Sequence, residues 1–507
     1  MRLKKSLILV FLLLVANPVC AEPLDLKKAL VLGLQNNLDL KVVALDVQQA
    51  DSGVLGQKSQ FDVTAELAAG QSEAEILTAS AFFPGESLTV ETFSGKFSLS
   101  KQFATGLQSR LSLQGDRTEG GSSDFLSDQL DPAYQANMVL DLTQPLLKDF
   151  GWNANLAGIN AAQIRKKQAA LSYLGRAVQL VAEIEAAYLE LAKAQEEYRH
   201  YTLARDLAQE LLDGNELKLD AGLIPVTEVN EARSALAGRE ESMLLAQQGV
   251  LLAHNSLIDL LHEPEISQSE DLQVEFPKLD NSVFPELEEA LSQGLNKRPD
   301  LLQMRLETDI RQIELDYADN QLWPRLDLEG SYALNGLAGD DQGAGSVYAG
   351  DWNDALSGAF DRDGTQWYAG LRLTMPLQNR AARAAYDSSR VSKRQTLYQL
   401  QRREIATETA IRSAHATTEL GAKRYEVAKR YAALAEETLE QENQRLDEGL
   451  SDTFRVLSFQ NALITARIRE ISAKVDYYKA LSTLFAAMGT NLERYEIVAA
   501  LPRIGAE

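Results

Sequence analysis

The chain carries its own pattern twice. Leu26-Lys-Lys-Ala29-Leu30-Val-Leu-Gly33-Leu34 with Asp39-Leu40 matches Leu287-Glu-Glu-Ala290-Leu291-Ser-Gln-Gly294-Leu295 with Asp300-Leu301, at an offset of 261. Leu140-Asp-Leu142-Thr143-Gln-Pro145-Leu146 matches Leu371-Arg-Leu373-Thr374-Met-Pro376-Leu377 at an offset of 231, and Asp220-Ala-Gly222-Leu223 matches Asp447-Glu-Gly449-Leu450 at 227. The fall from 261 to 231 places about 30 extra residues in the first half, before its last strand. Residues 93–115 fit them as two strands around Ala104-Thr105-Gly106.

Proline placement fixes what lies inside each half. No proline interrupts 146–224, 226–263 or 377–501, and these windows are rich in Ala, Leu, Glu, Gln, Lys and Arg. A proline inside a helix costs about 3 kcal/mol, so its absence is permissive. Leu174, Val178, Val181, Ile184, Tyr188 and Leu191 recur at coiled-coil spacing, as do Ile464, Ile468, Ile471, Val475 and Tyr478. The windows predict long helices over roughly 156–214, 226–262, 382–447 and 453–487; the first is on the order of 90 Å long. Glu-rich pairs on them, such as Glu183/Glu185 and Glu240/Glu241, read as solvated surface charges.

Elsewhere the period is two. Phe61, Val63, Ala65 and Leu67 alternate with polar neighbours; so do Phe97 and Leu99, Leu111 and Leu113, Met138, Leu140 and Leu142, Leu326 and Leu328, and Trp367 to Leu373. Such segments, joined by Gly/Ser/Asp-rich loops, are the signature of transmembrane β-strands. Each half thus reads helix, strands, long helix, tip, long helix. The first repeat is expected over 22–264, with strands about 59–145 and a helical hairpin about 156–262. The second is expected over 285–500, with strands about 323–376 and a hairpin about 382–487; 265–284 links them. The Asp-rich 336–365 stretch reads as a solvated loop.

The amino terminus points to export. Arg2, Lys4 and Lys5 precede the apolar run 7–16, and Val19-Cys20-Ala21 offers a cleavage site after Ala21, giving a signal peptide over 1–21. The rival reading, lipidation of Cys20, meets a poor consensus in Asn17-Pro18-Val19. Cleavage removes the one cysteine, so no disulfide is available. It also removes three of the 50 Lys+Arg and none of the 73 Asp+Glu, taking the net charge from −23 to −26. That charge argues against a nucleic-acid partner. No metal-ligand spacing surrounds His200, His254, His262 or His415, and no catalytic motif is present, so neither a cofactor nor an enzyme is expected.

The duplicated plan, the strand-Pro-helix transitions and the Gly-Leu tips resemble the TolC-like outer-membrane efflux protein family, over about 24–495. The segment from Asp220 to Arg233 is the most specific piece. The resemblance implies a trimeric outer-membrane β-barrel, usually of twelve strands, continuous with a long α-helical coiled-coil tunnel in the periplasm. It implies the exit duct of a tripartite efflux or type I secretion system, opened by a periplasmic adaptor (membrane-fusion) protein and energised by an inner-membrane transporter. Gly222, Leu223, Gly449 and Leu450 become the expected adaptor-docking tips. Glu228, Glu231, Arg455 and Ser458 become the expected periplasmic entrance, where relatives often carry acidic residues at the positions of Arg455 and Ser458. An Arg455–Glu228 pair across neighbouring tips would lock that entrance. The alternative is an exported coiled-coil structural or adhesive surface protein. With the extra 93–115 hairpin, twelve or eighteen barrel strands both remain open.

Overall fold

The structure, a computed structural model, describes residues 24–77, 87–120, 130–263, 272–277, 284–343 and 345–498. The expected signal peptide and Cys20 lie outside the described residues, as does most of the expected linker. Helices α1 (Leu26–Asn36) and α2 (Leu38–Lys58) lead into strands β1 (Thr64–Leu77), β2 (Ser87–Gln102), β3 (Gln108–Glu119) and β4 (Leu130–Pro145). Helices α3 (Gly151–Asp220) and α4 (Val226–Leu261) follow. The second half repeats this as α5 (Leu287–Lys297), α6 (Pro299–Asn320), β5 (Arg325–Asp341), a short α7 (Trp352–Asp361), β6 (Gly364–Thr374), α8 (Arg380–Asp447) and α9 (Thr453–Met488), closing with α10 (Asn491–Arg494). The duplication is metric: α3 and α8 run 70 and 68 residues, and α4 and α9 run 36 each. No described helix is long and apolar enough to cross a membrane.

Two compact units result. One takes the residues up to Ala44, Tyr173–Pro299 and those from Glu404 on; the other takes Leu45–Ser172 and Asp300–Arg403.

The second unit holds a six-stranded antiparallel sheet in the order β1-β2-β3-β4-β5-β6. The extra hairpin of the first half, β2–β3, lies within this sheet, between β1 and β4. Register sorts the side chains by face. Leu67, Phe97, Leu113, Met138 and Leu334 align across five strands, and Ala65, Leu99, Leu111, Leu140, Tyr332 and Trp367 align across six. On the opposite face Ser100, Arg110, Asp141, Ser331 and Tyr368 align. On the apolar face Leu67, Phe93, Phe97, Leu140, Leu328, Trp367, Leu371 and Leu373 are all solvent-accessible in a single copy. Exposed Phe103, Phe150, Trp152 and Trp323 lie where strands turn or meet helices, as residues of an interfacial aromatic girdle do.

The expectation of a solvated loop over 336–365 is corrected. β5 continues to Asp341, and α7 folds back onto the sheet, burying Ala355 and Ala359 against Ala136 and Ala338. Polar residues made this stretch look like a loop. They serve instead as caps: Asp351 accepts from the Asn353 and Asp354 amides, and the Asp354 carboxylate accepts from the Asp351 amide, closing a capping box.

In the first unit the repeats use the same contact. Gly33 on α1 and Gly294 on α5 each meet an isoleucine of a long helix, Ile184 and Ile411, so closely that a Cβ would collide with its side chain. The two isoleucines are 227 apart, the offset of the tips. Tyr188, Leu180, Ile184, Leu189 and Leu191 are fully buried around α3, each contributing about 1.5–3 kcal/mol through lost contact with water. Tyr188 also fastens the chain. Its hydroxyl is shared between the Leu24 (2.7 Å) and Glu275 (2.9 Å) carbonyls, while Leu24 and Val274 form a parallel bridge.

Glu185 departs from its expected place on a solvated surface. It is buried on α3, accepts hydrogen bonds from the Ser482 and Tyr495 hydroxyls (both 2.6 Å), and pairs with Arg494 at 3.3 Å. The apolar seam of α3 is packed on several sides, which turns a flanking charge inward.

Burial pushes the Tyr188 and Tyr478 hydroxyls up to about 12, and burial with the adjacent Glu185 carboxylate pushes Tyr495 higher still. In the unfolded chain these groups ionise near 10. The folded state therefore holds their protons longer. Their stabilisation is complete below about pH 10 and is lost as pH rises toward 12. The denaturation midpoint is expected to fall across that window, and less steeply in Tyr188→Phe.

Candidate functional site

The two helical turns form the site. At the first, the Gly222 amide donates to the Leu219 carbonyl (2.8 Å) and the Leu223 amide to that of Lys218 (2.9 Å). At the second, the Gly449 amide donates to the Leu446 carbonyl (3.1 Å) and the Leu450 amide to that of Arg445 (2.8 Å). Both are Schellman closures, with glycine at φ 71° and 72° where a side chain would be strained. Each closure leaves its leucine outward: Leu223 is 74% and Leu450 64% exposed.

The turns are tied together by side chains. The buried Asn215 amide of α3 donates to the Thr453 hydroxyl (3.2 Å), which donates to the Glu228 carboxylate of α4 (2.9 Å). Beneath them Leu212, Val229 and Ala232 form a small apolar cluster. Glu231 and Ser458 line one groove of about 400 Å³ between α4 and α9, with Ser234, Ala235, Phe454 and Leu457; Phe454 is exposed.

Arg455 belongs to a different set. Its Nε lies 3.1 Å from the carboxylate of Glu442, a residue of α8 whose side chain is only 5% exposed. Ser451 donates to the same oxygen and Arg445 lies 3.6 Å from the other. The Arg455 amide meanwhile donates to Asp452, the cap of α9 (2.8 Å). Within one chain, then, the structure brings Glu228 to Thr453 and Arg455 to Glu442, and does not bring Arg455 to Glu228.

Asn215, Thr453 and Glu442 were not singled out from sequence. A signal existed for Glu442: it follows the buried Ala432 and Leu439 by steps of seven and three, so it occupies a seam position. A buried carboxylate there must be paired, and Arg455 and Ser451 provide the partners. The arrangement presents two exposed leucines and a groove on a hydrogen-bonded frame.

Comparison with known proteins agrees with this geometry. The sequence pattern of the outer membrane efflux protein family matches residues 29–262 and again 290–490. No curated protein matches the chain by sequence. Among solved structures, the outer-membrane channel OprN is similar at 16% identity and TM-score 0.66, covering 92% of this chain and 89% of its own. The Campylobacter jejuni CmeC outer membrane channel is similar at 17% and 0.65, covering 92% and 85%. The outer membrane protein VceC of Vibrio cholerae is similar at 16% and 0.63, covering 92% and 96%. With both halves matched, their six strands in one sheet and their helical hairpins repeated, the chain belongs to the outer membrane efflux protein family.

Proposed function

We propose that this outer-membrane channel is the exit duct of a tripartite efflux or type I secretion system. Three copies form the duct, a periplasmic adaptor docks on the tips around Gly222, Leu223, Gly449 and Leu450, and an inner-membrane transporter supplies the energy. The observation that carries this reading is the repeated tip, with the same turn and the same exposed leucine in both halves. Among the described residues β1 and β6 have one neighbour each. Lipid tolerates no open sheet edge, so β6 of one copy would pair with β1 of the next. Six strands from each of three copies give eighteen. Barrel diameter grows roughly with strand number, making this barrel about half again as wide as a twelve-stranded one.

The entrance is formed by the tips that carry Glu228, Glu231, Arg455 and Ser458. Glu228 holds one turn to the other through Thr453, and Arg455 holds α9 to α8 through Glu442. Arg455→Ala and Glu228→Ala are each expected to loosen the tips and raise single-channel conductance in planar bilayers. Unchanged conductance in both variants would sink the gate assignment, and a trimeric preparation without conductance would sink the duct itself. Leu223→Ser with Leu450→Ser should abolish export in cells while leaving conductance intact.

A further inference from the structure

Helix α7 lies on the face of the sheet that a barrel turns outward. Ala69, Gly95, Gly115, Ala136 and Gly336 align across β1 to β5 as a row of small residues on an otherwise bulky apolar face. α7 occupies the part of this row on β3, β4 and β5. A Cβ on Gly336 would collide with the Ala355 carbonyl oxygen, and one on Gly115 with the Trp352 ring. The Trp352 ring also packs on Tyr134, centroids 5.9 Å apart. The helix sits over β4 and β5; β6 pairs with β5 only as far as Asn335, so the stretch of β5 beneath the helix runs past the end of β6.

At about 100° per residue, α7 has three distinct sides. Ala355, Gly358 and Ala359 are buried toward the sheet. Trp352, Leu356 and Phe360, four residues apart, form an exposed apolar flank, with Phe360 58% accessible. Asn353, Ser357, Asp354 and Asp361 form the polar side. The apolar flank continues the exposed apolar face that carries Phe93, Leu113 and Leu140. A helix that lies on lipid-facing wall, apolar on one flank and acidic on the other, is built for a membrane–water boundary. Its place is the end of the strands remote from the α6–β5 and β6–α8 junctions.

We propose that α7 is an interfacial helix seated in the outer leaflet, with Trp352, Leu356 and Phe360 among acyl chains and its aspartates at the aqueous side. This rests on the barrel reading, in which the apolar sheet face meets lipid. The test uses the full-length protein in phosphatidylcholine vesicles with brominated acyl chains, which quench indole fluorescence on contact. The four native tryptophans are replaced by Phe, and Phe360→Trp, Leu356→Trp or Ser357→Trp is added singly; a fourth variant keeps Trp367 alone. The indoles from Phe360→Trp and Leu356→Trp are expected to lose emission as strongly as Trp367. The one from Ser357→Trp should be weakly quenched by bromine and open to aqueous iodide. If Trp367 is quenched while the Phe360→Trp and Leu356→Trp indoles are not, the helix proposal falls and the barrel stands. If Trp367 is also unquenched, the barrel reading itself falls.

Discussion

Glu185→Ala is expected to destabilise the protein by about 3–5 kcal/mol, the cost of breaking a buried ion pair from one side. The Glu185 carboxylate is 3% exposed and Arg494 11%, so neither charge recovers hydration when its partner is removed. The Ser482 and Tyr495 hydroxyls would also lose their acceptor, and Arg494 would be left stacked on Phe485 and Tyr495 without this carboxylate. The loss should appear as a lower denaturant midpoint near neutral pH. Arg494→Ala should cost a similar amount. The double variant should cost clearly less than the sum, because the second deletion removes a charge already orphaned by the first. Strict additivity of the two losses would show that the pair carries no coupling.

The second large effect lies in the sheet. Leu371→Arg places a cation on the apolar face of β6, where Leu371 pairs with Leu328. A charge on the lipid side of a barrel costs about 2–4 kcal/mol at mid-membrane, so the amount of protein recovered in the outer-membrane fraction should drop sharply. The chain supplies its own control one residue on: Arg372 faces the other way and pairs with Glu329 at 3.0 Å. Gln366→Arg, on that polar face, should insert normally. Equal recovery of both variants would mean that the faces have been assigned the wrong way round.

These two sites differ in how far the sequence disclosed them. The alternation of Leu371 and Arg372 is local, so the faces of β6 are legible residue by residue. The long helices are legible for the same reason, since a 3.5-residue period and missing prolines need no partner to be seen. Glu185 is not. Its partner Ser482 is 297 residues away, and a glutamate beside an apolar seam reads as surface until a second helix covers it. α7 is not legible in the sequence because half of its ten residues are Asn, Asp, Ser or Gly. Its seat appears only when β3, β4 and β5 are put in register. At the tips, Gly222 and Gly449 were disclosed by the duplication, because both turns need the same positive φ. The chain of bonds from Asn215 through Thr453 to Glu228 joins residues 238 and 225 apart, and no short pattern announces it.

The free edges of β1 and β6 have a consequence for the cell that makes this protein. A newly exported copy carries two unsatisfied strand edges and a broad greasy surface before any companion arrives, and both invite the wrong neighbour. Because closure requires several copies to meet, the yield of finished channels should depend steeply on how many unassembled chains are present and how well they are escorted. Too few leaves each waiting; too many favours tangles over rings. Expression level is thus itself a determinant of how much working channel the envelope receives.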